Sequence, residues 1–173
     1  MKNFLVIVLG CIFVPAALNA ETVKVNIYKV TIDGKSDKIG TVKISDSDKG
    51  LVVKAKISGL TPGEHGFHIH QNPSCGSHGA DGSAGPALAA GGHYDPDNTG
   101  KHLGPYGDGH KGDLPFLTAD KKGKVNETVT APRLTVNDIK NRSIMIHQGG
   151  DNYSDIPEPL GGGGARIAIG IIQ

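Results

Sequence analysis

Apolar and polar residues alternate in short runs along most of the chain. Val23, Val25 and Ile27 alternate with Lys24 and Asn26, a period of two that marks a half-buried strand. Similar runs follow at Gly40–Ile44 and Leu51–Ile57, with the turn signals Asp33-Gly34 and Lys49-Gly50 between them. Pro62-Gly63 turns the chain just ahead of a strand around His68, and further strands are expected at Lys124–Thr130, Ser143–His147 and Arg166–Ile171. No window carries a long helical period, and Val136–Asn141 has room for one short turn. Many short strands at regular spacing predict an all-β sandwich or barrel.

Two stretches break this rhythm. Gln71–Asp113 is rich in Gly, Pro, Asp and His, and Gln148–Ala165 ends in four consecutive glycines. Loops of this length in a compact domain are usually either functional or disordered. The composition agrees with a loop-rich β-domain, since there are 26 glycines, few aromatic residues and no Trp. A length of 173 residues suits one domain.

The first twenty residues read differently. Lys2 precedes an apolar run from Phe4 to Leu18, with the small residue Ala20 at its end. This is the pattern of a secretory signal peptide over 1–20, leaving a domain at 21–173. A lipoprotein reading at Cys11 is weaker, because Leu9 is bulky and the apolar run continues past the cysteine. No other segment is apolar enough to span a bilayer, so no stable membrane association is expected. Loss of residues 1–20 removes Lys2 and leaves cationic and acidic side chains in balance. Without a basic block or aromatic platform, nucleic acid is not an expected partner.

The candidate chemistry lies with histidine. All eight histidines fall between His65 and His147. His68 and His70 are two apart on an expected strand, so their rings share a face. A His-x-His pair alone is equally a solvated face. His147, ending the apolar run Ser143–Ile146, would let two strands hold three imidazoles. A fourth from the loop makes an all-nitrogen set suited to Cu(II). His93, His102, His110 and Asp113, in the glycine-rich loop, form a reasonable tetrahedral zinc set. The plainer alternative is a polar loop with incidental histidines.

Several stretches together resemble a known family. They are Pro62–His70, Gly91-Gly92-His93-Tyr94-Asp95-Pro96, Lys101–Pro105, Gly109–Pro115, Met145-Ile146-His147, Gly149–Asn152 and Pro159–Gly164. In this order they resemble the copper,zinc superoxide dismutases, in particular the bacterial periplasmic branch. The resemblance implies an eight-stranded antiparallel Greek-key barrel or sandwich with two long functional loops. It implies copper on His68, His70, His93 and His147, and zinc on His93, His102, His110 and Asp113. His93 would bridge the two ions and hold a proton during turnover. Asp151 would bond the far nitrogens of His68 and His102, and Arg166 would attract and orient superoxide. The implied activity is dismutation of superoxide to oxygen and hydrogen peroxide in the periplasm, by a monomer or homodimer. The alternative is a periplasmic copper/zinc carrier on the same fold, without turnover. His65 is expected to be a structural hydrogen-bonding residue. His78 would be solvated or help to catch copper.

One departure from the family pattern stands out. The cysteine matching Cys75 is normally bridged to a position that here is Ile169. An intrachain bridge is therefore impossible; the alternatives are compensation by packing Ile169 into the core, or lower stability or greater dependence on bound metal than in the relatives.

Overall fold

The computed structural model describes residues 22–173, so the expected signal peptide and Cys11 lie outside the described residues. The described residues form nine strands: β1 Thr22–Thr31, β2 Gly34–Ser47, β3 Gly50–Ser58, β4 Gly63–His65, β5 Phe67–His70, β6 Leu117–Ala119, β7 Lys124–Ala131, β8 Arg142–His147 and β9 Arg166–Ile172. One turn of α-helix, α1, spans Val136–Ile139, and 3-10 turns lie at Leu88–Ala90 and Pro159–Gly162. Seven strands join in the order β5-β8-β9-β1-β2-β3-β7, all antiparallel where paired, while β4 pairs with β6. This is the expected antiparallel architecture, with sequence-distant strands such as β3 and β7 lying side by side.

Nine strands form rather than eight because the segment around His68 is interrupted at Gly66. There the backbone leaves the β4–β6 pair, and the Gly66 N–H donates to Gly149 O at 2.7 Å. A Cβ at Gly66 would lie 3.1 Å from His68 Cε1, so the break suits glycine. β6 is only three residues long, and so brief a buried-exposed-buried run was not legible as a strand in the sequence.

Period two holds where it was expected. Val25 and Ile27 of β1, Val42 and Ile44 of β2, and Leu51, Val53, Ala55 and Ile57 of β3 are buried on one face. They pack with Phe67, Ile69, Ile144, Ile146 and Ala168 in the main core. α1 is opened by Thr135, whose hydroxyl accepts from Asp138 N–H while the Asp138 carboxylate accepts from Thr135 N–H, a reciprocal cap.

A second, smaller cluster sits beneath the first long loop. Ile169, Met145, Val30, Ala87 and Ala90 are buried together, and the free Cys75 packs against them. Ile169 is 1% exposed. Apolar contact thus occupies the place where the family pattern has a covalent tie. Ile169→Ala is expected to cost about 2–5 kcal/mol of stability, the usual loss when a buried Ile is truncated. Denaturant unfolding of the purified protein measures it.

Candidate metal centre

The site is built where three backbone segments meet. Tyr94 N–H donates to Ile69 O, Ile69 N–H to Gly112 O, and Gly112 N–H to Tyr94 O, each at 2.8 Å. A Cβ at Gly112 would lie 2.4 Å from Ile69 O, so only glycine admits this approach. The flanking residues are therefore neighbours: His68 and His70 beside Ile69, His93 beside Tyr94, and Asp113 beside Gly112. Isolated bridges pair His68 with Asp113 and His70 with His93. Arg142 lies over the Tyr94 ring, 3.5 Å from its centroid, and donates to Gln71 O.

β5 alternates as expected. Phe67 and Ile69 enter the core, while His68 and His70 face the loops, and all four are buried. His147 arrives from the end of β8, opposite Arg166 on β9. His68, His70, His93 and His147 each place one ring nitrogen within 4.8 Å of the others. A second compact group is His68, His93, His102 and Asp113, by the same distance. The two groups share His68 and His93. His110 is not within the second compact group, but its Nδ1 lies 3.7 Å from Asp113 Oδ1 and its ring centroid 5.4 Å from that of His93.

Hydrogen bonds leave a defined nitrogen free on most rings. His70 Nδ1 donates to Gly91 O (2.9 Å), and His147 Nδ1 to Gly164 O (3.1 Å). The remaining Nε2 atoms of these two rings face each other at 3.4 Å. Asp151 spans the two groups, with Oδ2 2.7 Å from His68 Nε2 and Oδ1 2.7 Å from His102 Nε2. His93 Nδ1 is 2.9 Å from Asp113 Oδ1. Of six buried side-chain atoms without a hydrogen-bond partner among the described residues, five lie here, namely His68 Nδ1, His93 Nε2, His102 Nδ1, His110 Nδ1 and Asp113 Oδ2, with His102 Nδ1 and Asp113 Oδ2 3.0 Å apart as an ion-pair contact. Buried polar atoms are rarely left so, and a cluster of lone-pair donors at one place fits cation binding. The donor types also fit, with imidazoles alone on one side and imidazoles plus a carboxylate on the other.

The two sides differ electrostatically. Burial, then the nearby rings of His93 and His147, hold His68 and His70 well below the ordinary histidine value of 6.5. Burial brings His147 down to about 4. These rings are neutral at pH 7, the form that donates a lone pair to a metal. Burial also opposes charge on His102, but the carboxylates of Asp113 and Asp151 beside its two nitrogens prevail and raise it to about 9. Burial works against ionisation of Asp113 too, yet the surrounding rings of His102, His110 and His93 hold it far below the usual carboxylate range.

Arg166 extends its guanidinium to Ala87 O (2.6 Å) and Gly91 O (2.7 Å). Gly91 O is also the acceptor for His70, so the arginine and this ring are fixed by one carbonyl. His65 is buried outside both groups, with Nδ1 2.7 Å from His147 O and Nε2 2.8 Å from Thr61 O. That is a structural tie, as expected. His78 is exposed, beside Ser77 Oγ, and belongs to neither group. Sequence reasoning missed Asp155, whose carboxylate accepts from His102 N–H at 2.8 Å. It also missed Tyr153, whose hydroxyl accepts from Phe116 N–H at 3.1 Å. Both act on backbone atoms far away in sequence, so no local pattern announces them.

A β-domain with two adjoining histidine-rich ligand groups is the architecture of a two-metal redox protein. Comparison with known proteins specifies it further. The family described as "Copper/zinc superoxide dismutase (SODC)" matches residues 38–172. The chain is 58% identical over 155 residues to a copper–zinc superoxide dismutase of Brucella abortus, covering 89% of this chain and 90% of that one. The solved Cu/Zn superoxide dismutase of Brucella abortus superposes with a TM-score of 0.86 at 58% identity, covering 88% of this chain and 100% of that one. The monomeric copper,zinc superoxide dismutase of Salmonella enterica gives 0.78 at 52% identity, with 88% and 100% covered. The chain belongs to the copper/zinc superoxide dismutase family. It is an oxidoreductase with copper and zinc sites, and superoxide is its substrate. The carrier alternative finds no support in these relatives, which are named as dismutases.

Because Asp151 touches one ring of each side, Asp151→Ala is expected to weaken both metals together, by about 10–100-fold, as loss of such ligand-orienting partners does. Separate copper and zinc titrations of the metal-free variant check this, and loss on one side alone would contradict it.

Proposed function

We propose that copper is held by His68, His70, His93 and His147, and zinc by His93, His102, His110 and Asp113, with His93 as the shared ring. The supporting observation is the partnering of the two residues common to both groups. His68 has Nε2 committed to Asp151, which leaves Nδ1 alone and one ion to serve. His93 directs Nδ1 toward Asp113 and keeps Nε2 unpartnered on the other side. Only His93 therefore offers a nitrogen in each direction. With His68 given to copper, His110 becomes the fourth zinc ligand, and its orphaned Nδ1 beside Asp113 supports that role.

When bound, copper supplies a one-electron couple that oxidises one superoxide and reduces the next, while zinc supplies fixed charge. The residues provide the rest. Arg166 is permanently charged and planar, held by two carbonyls beside His70, and it attracts and orients the small anion. His93 holds one proton at Nε2 between the two halves of the reaction and delivers it to the product peroxide, and water supplies the second proton that hydrogen peroxide needs. Asp151 fixes the rings of His68 and His102, so the lone pairs keep their direction.

The chain is exported by residues 1–20, and the remaining domain works in the periplasm. All ligands come from one chain, so either a monomer or a homodimer has complete sites.

His147→Ala is expected to remove most copper and most activity while zinc stays bound. Metal analysis followed by a superoxide-decay assay on the same sample tests it, and near-normal activity would refute the assignment. Arg166→Ala is expected to keep both metals, slow the reaction and flatten its dependence on ionic strength, since long-range attraction between charges is screened by salt. Rates measured across a salt series decide, and an unchanged slope would remove the steering role.

A further inference from the structure

Residues 104–111 carry a zinc-side ligand but belong to neither sheet. Four of their carbonyls converge on one side chain. Arg133, half-buried on the turn between β7 and α1, donates from Nε to Pro105 O (3.2 Å) and from Nη1 to Gly109 O (2.9 Å). Its Nη2 donates to both Gly104 O (3.2 Å) and His110 O (2.6 Å). Next to this, Lys111 Nζ meets Asp138 Oδ1 at 2.8 Å. The zinc-side loop is thus docked on residues 133–138.

His110 is the member of the centre most dependent on such help. It is the most exposed of the candidate ligands, at 9%. Its Nδ1 has no hydrogen-bond partner, so no side chain sets its direction. The backbone does: His110 N–H donates to Lys101 O at 2.8 Å, and His110 O accepts from Arg133. By contrast, His68, His70 and His147 sit on β5 and β8, whose pairing does not involve residues 104–111.

We propose that Arg133 is a positioning residue for zinc: its guanidinium fixes the backbone of residues 104–110 so that His110 Nδ1 faces Asp113 before the ion arrives. This rests on the reading of His110 as a zinc ligand. The effect is one-sided, reaching zinc and not copper. It requires the planar fork of Arg, because four separate carbonyls are met by donors in fixed directions. A lysine brings the same charge as a compact point with three donors and cannot reproduce that pattern.

The test compares the full protein with Arg133→Ala, Arg133→Lys and His110→Ala. Zinc affinity is measured by competition with a chromogenic chelator, the geometry of the zinc position by the visible spectrum of bound Co(II), and the copper side by its Cu(II) spectrum and affinity. Arg133→Ala is expected to weaken zinc by about 10–100-fold. Its Co(II) spectrum should shift toward that of His110→Ala, with the copper readouts unchanged. Arg133→Lys should recover only part of the loss. If Arg133→Ala does not fold, the lysine variant carries the test by the same readouts. Unchanged zinc affinity, equal weakening of both metals, or full recovery with lysine would overturn the proposal. Wild-type zinc binding by His110→Ala would instead overturn the ligand reading on which it rests.

Discussion

Three amide-to-carbonyl bonds, from Tyr94 to Ile69, Ile69 to Gly112 and Gly112 to Tyr94, hold the centre of this molecule together. Each is worth only about 0.5–1.5 kcal/mol net, but their positions matter more than their strength. They bring a buried strand and two distant turns of a loop to van der Waals contact. Every residue flanking that junction on the site side is a candidate ligand. Rigidity at the ligands is therefore inherited from β5, which is locked between β8 and the core. With no regular structure along most of it, the loop keeps its order through this anchor together with the side chains of Arg133, Asp155 and Arg166 that bond its backbone.

The same anchor explains why the two halves of the centre differ. The copper-side rings come from strands and from the residue next to the junction, so they are buried, close and neutral. The zinc-side groups come from the loop itself and include the only carboxylate in either ligand group. Its charge and that of Asp151 raise His102 above the ordinary histidine value against the cost of burial. Asp151 joins the halves, since one carboxylate meets a ring from each.

Much of this was legible in the sequence. Period-two alternation placed the long strands, and β5 could be read because its apolar and histidine positions alternate. The histidines of the centre were visible as candidates because their residue type is rare elsewhere in the chain. The short strands β4 and β6 were not legible, because three residues carry no periodicity and their pairing is tertiary. Nor was the bonding by which Asp155 and Arg133 hold the loop, since backbone atoms are their partners and any sequence supplies those. The expectation of His93 as the shared ring came from the family resemblance; spacing treats His68 and His93 alike, and both belong to both compact groups.

The small cluster under the first loop has a chemical consequence. Cys75 packs against the cluster that holds Ile169 and is a free thiol, so thiol–disulfide exchange has no bond to open there. Fastening this loop needs no oxidant, no isomerase and no oxidising compartment. A newly made chain can close its loop as soon as its barrel forms, and thiols such as glutathione leave that closure untouched.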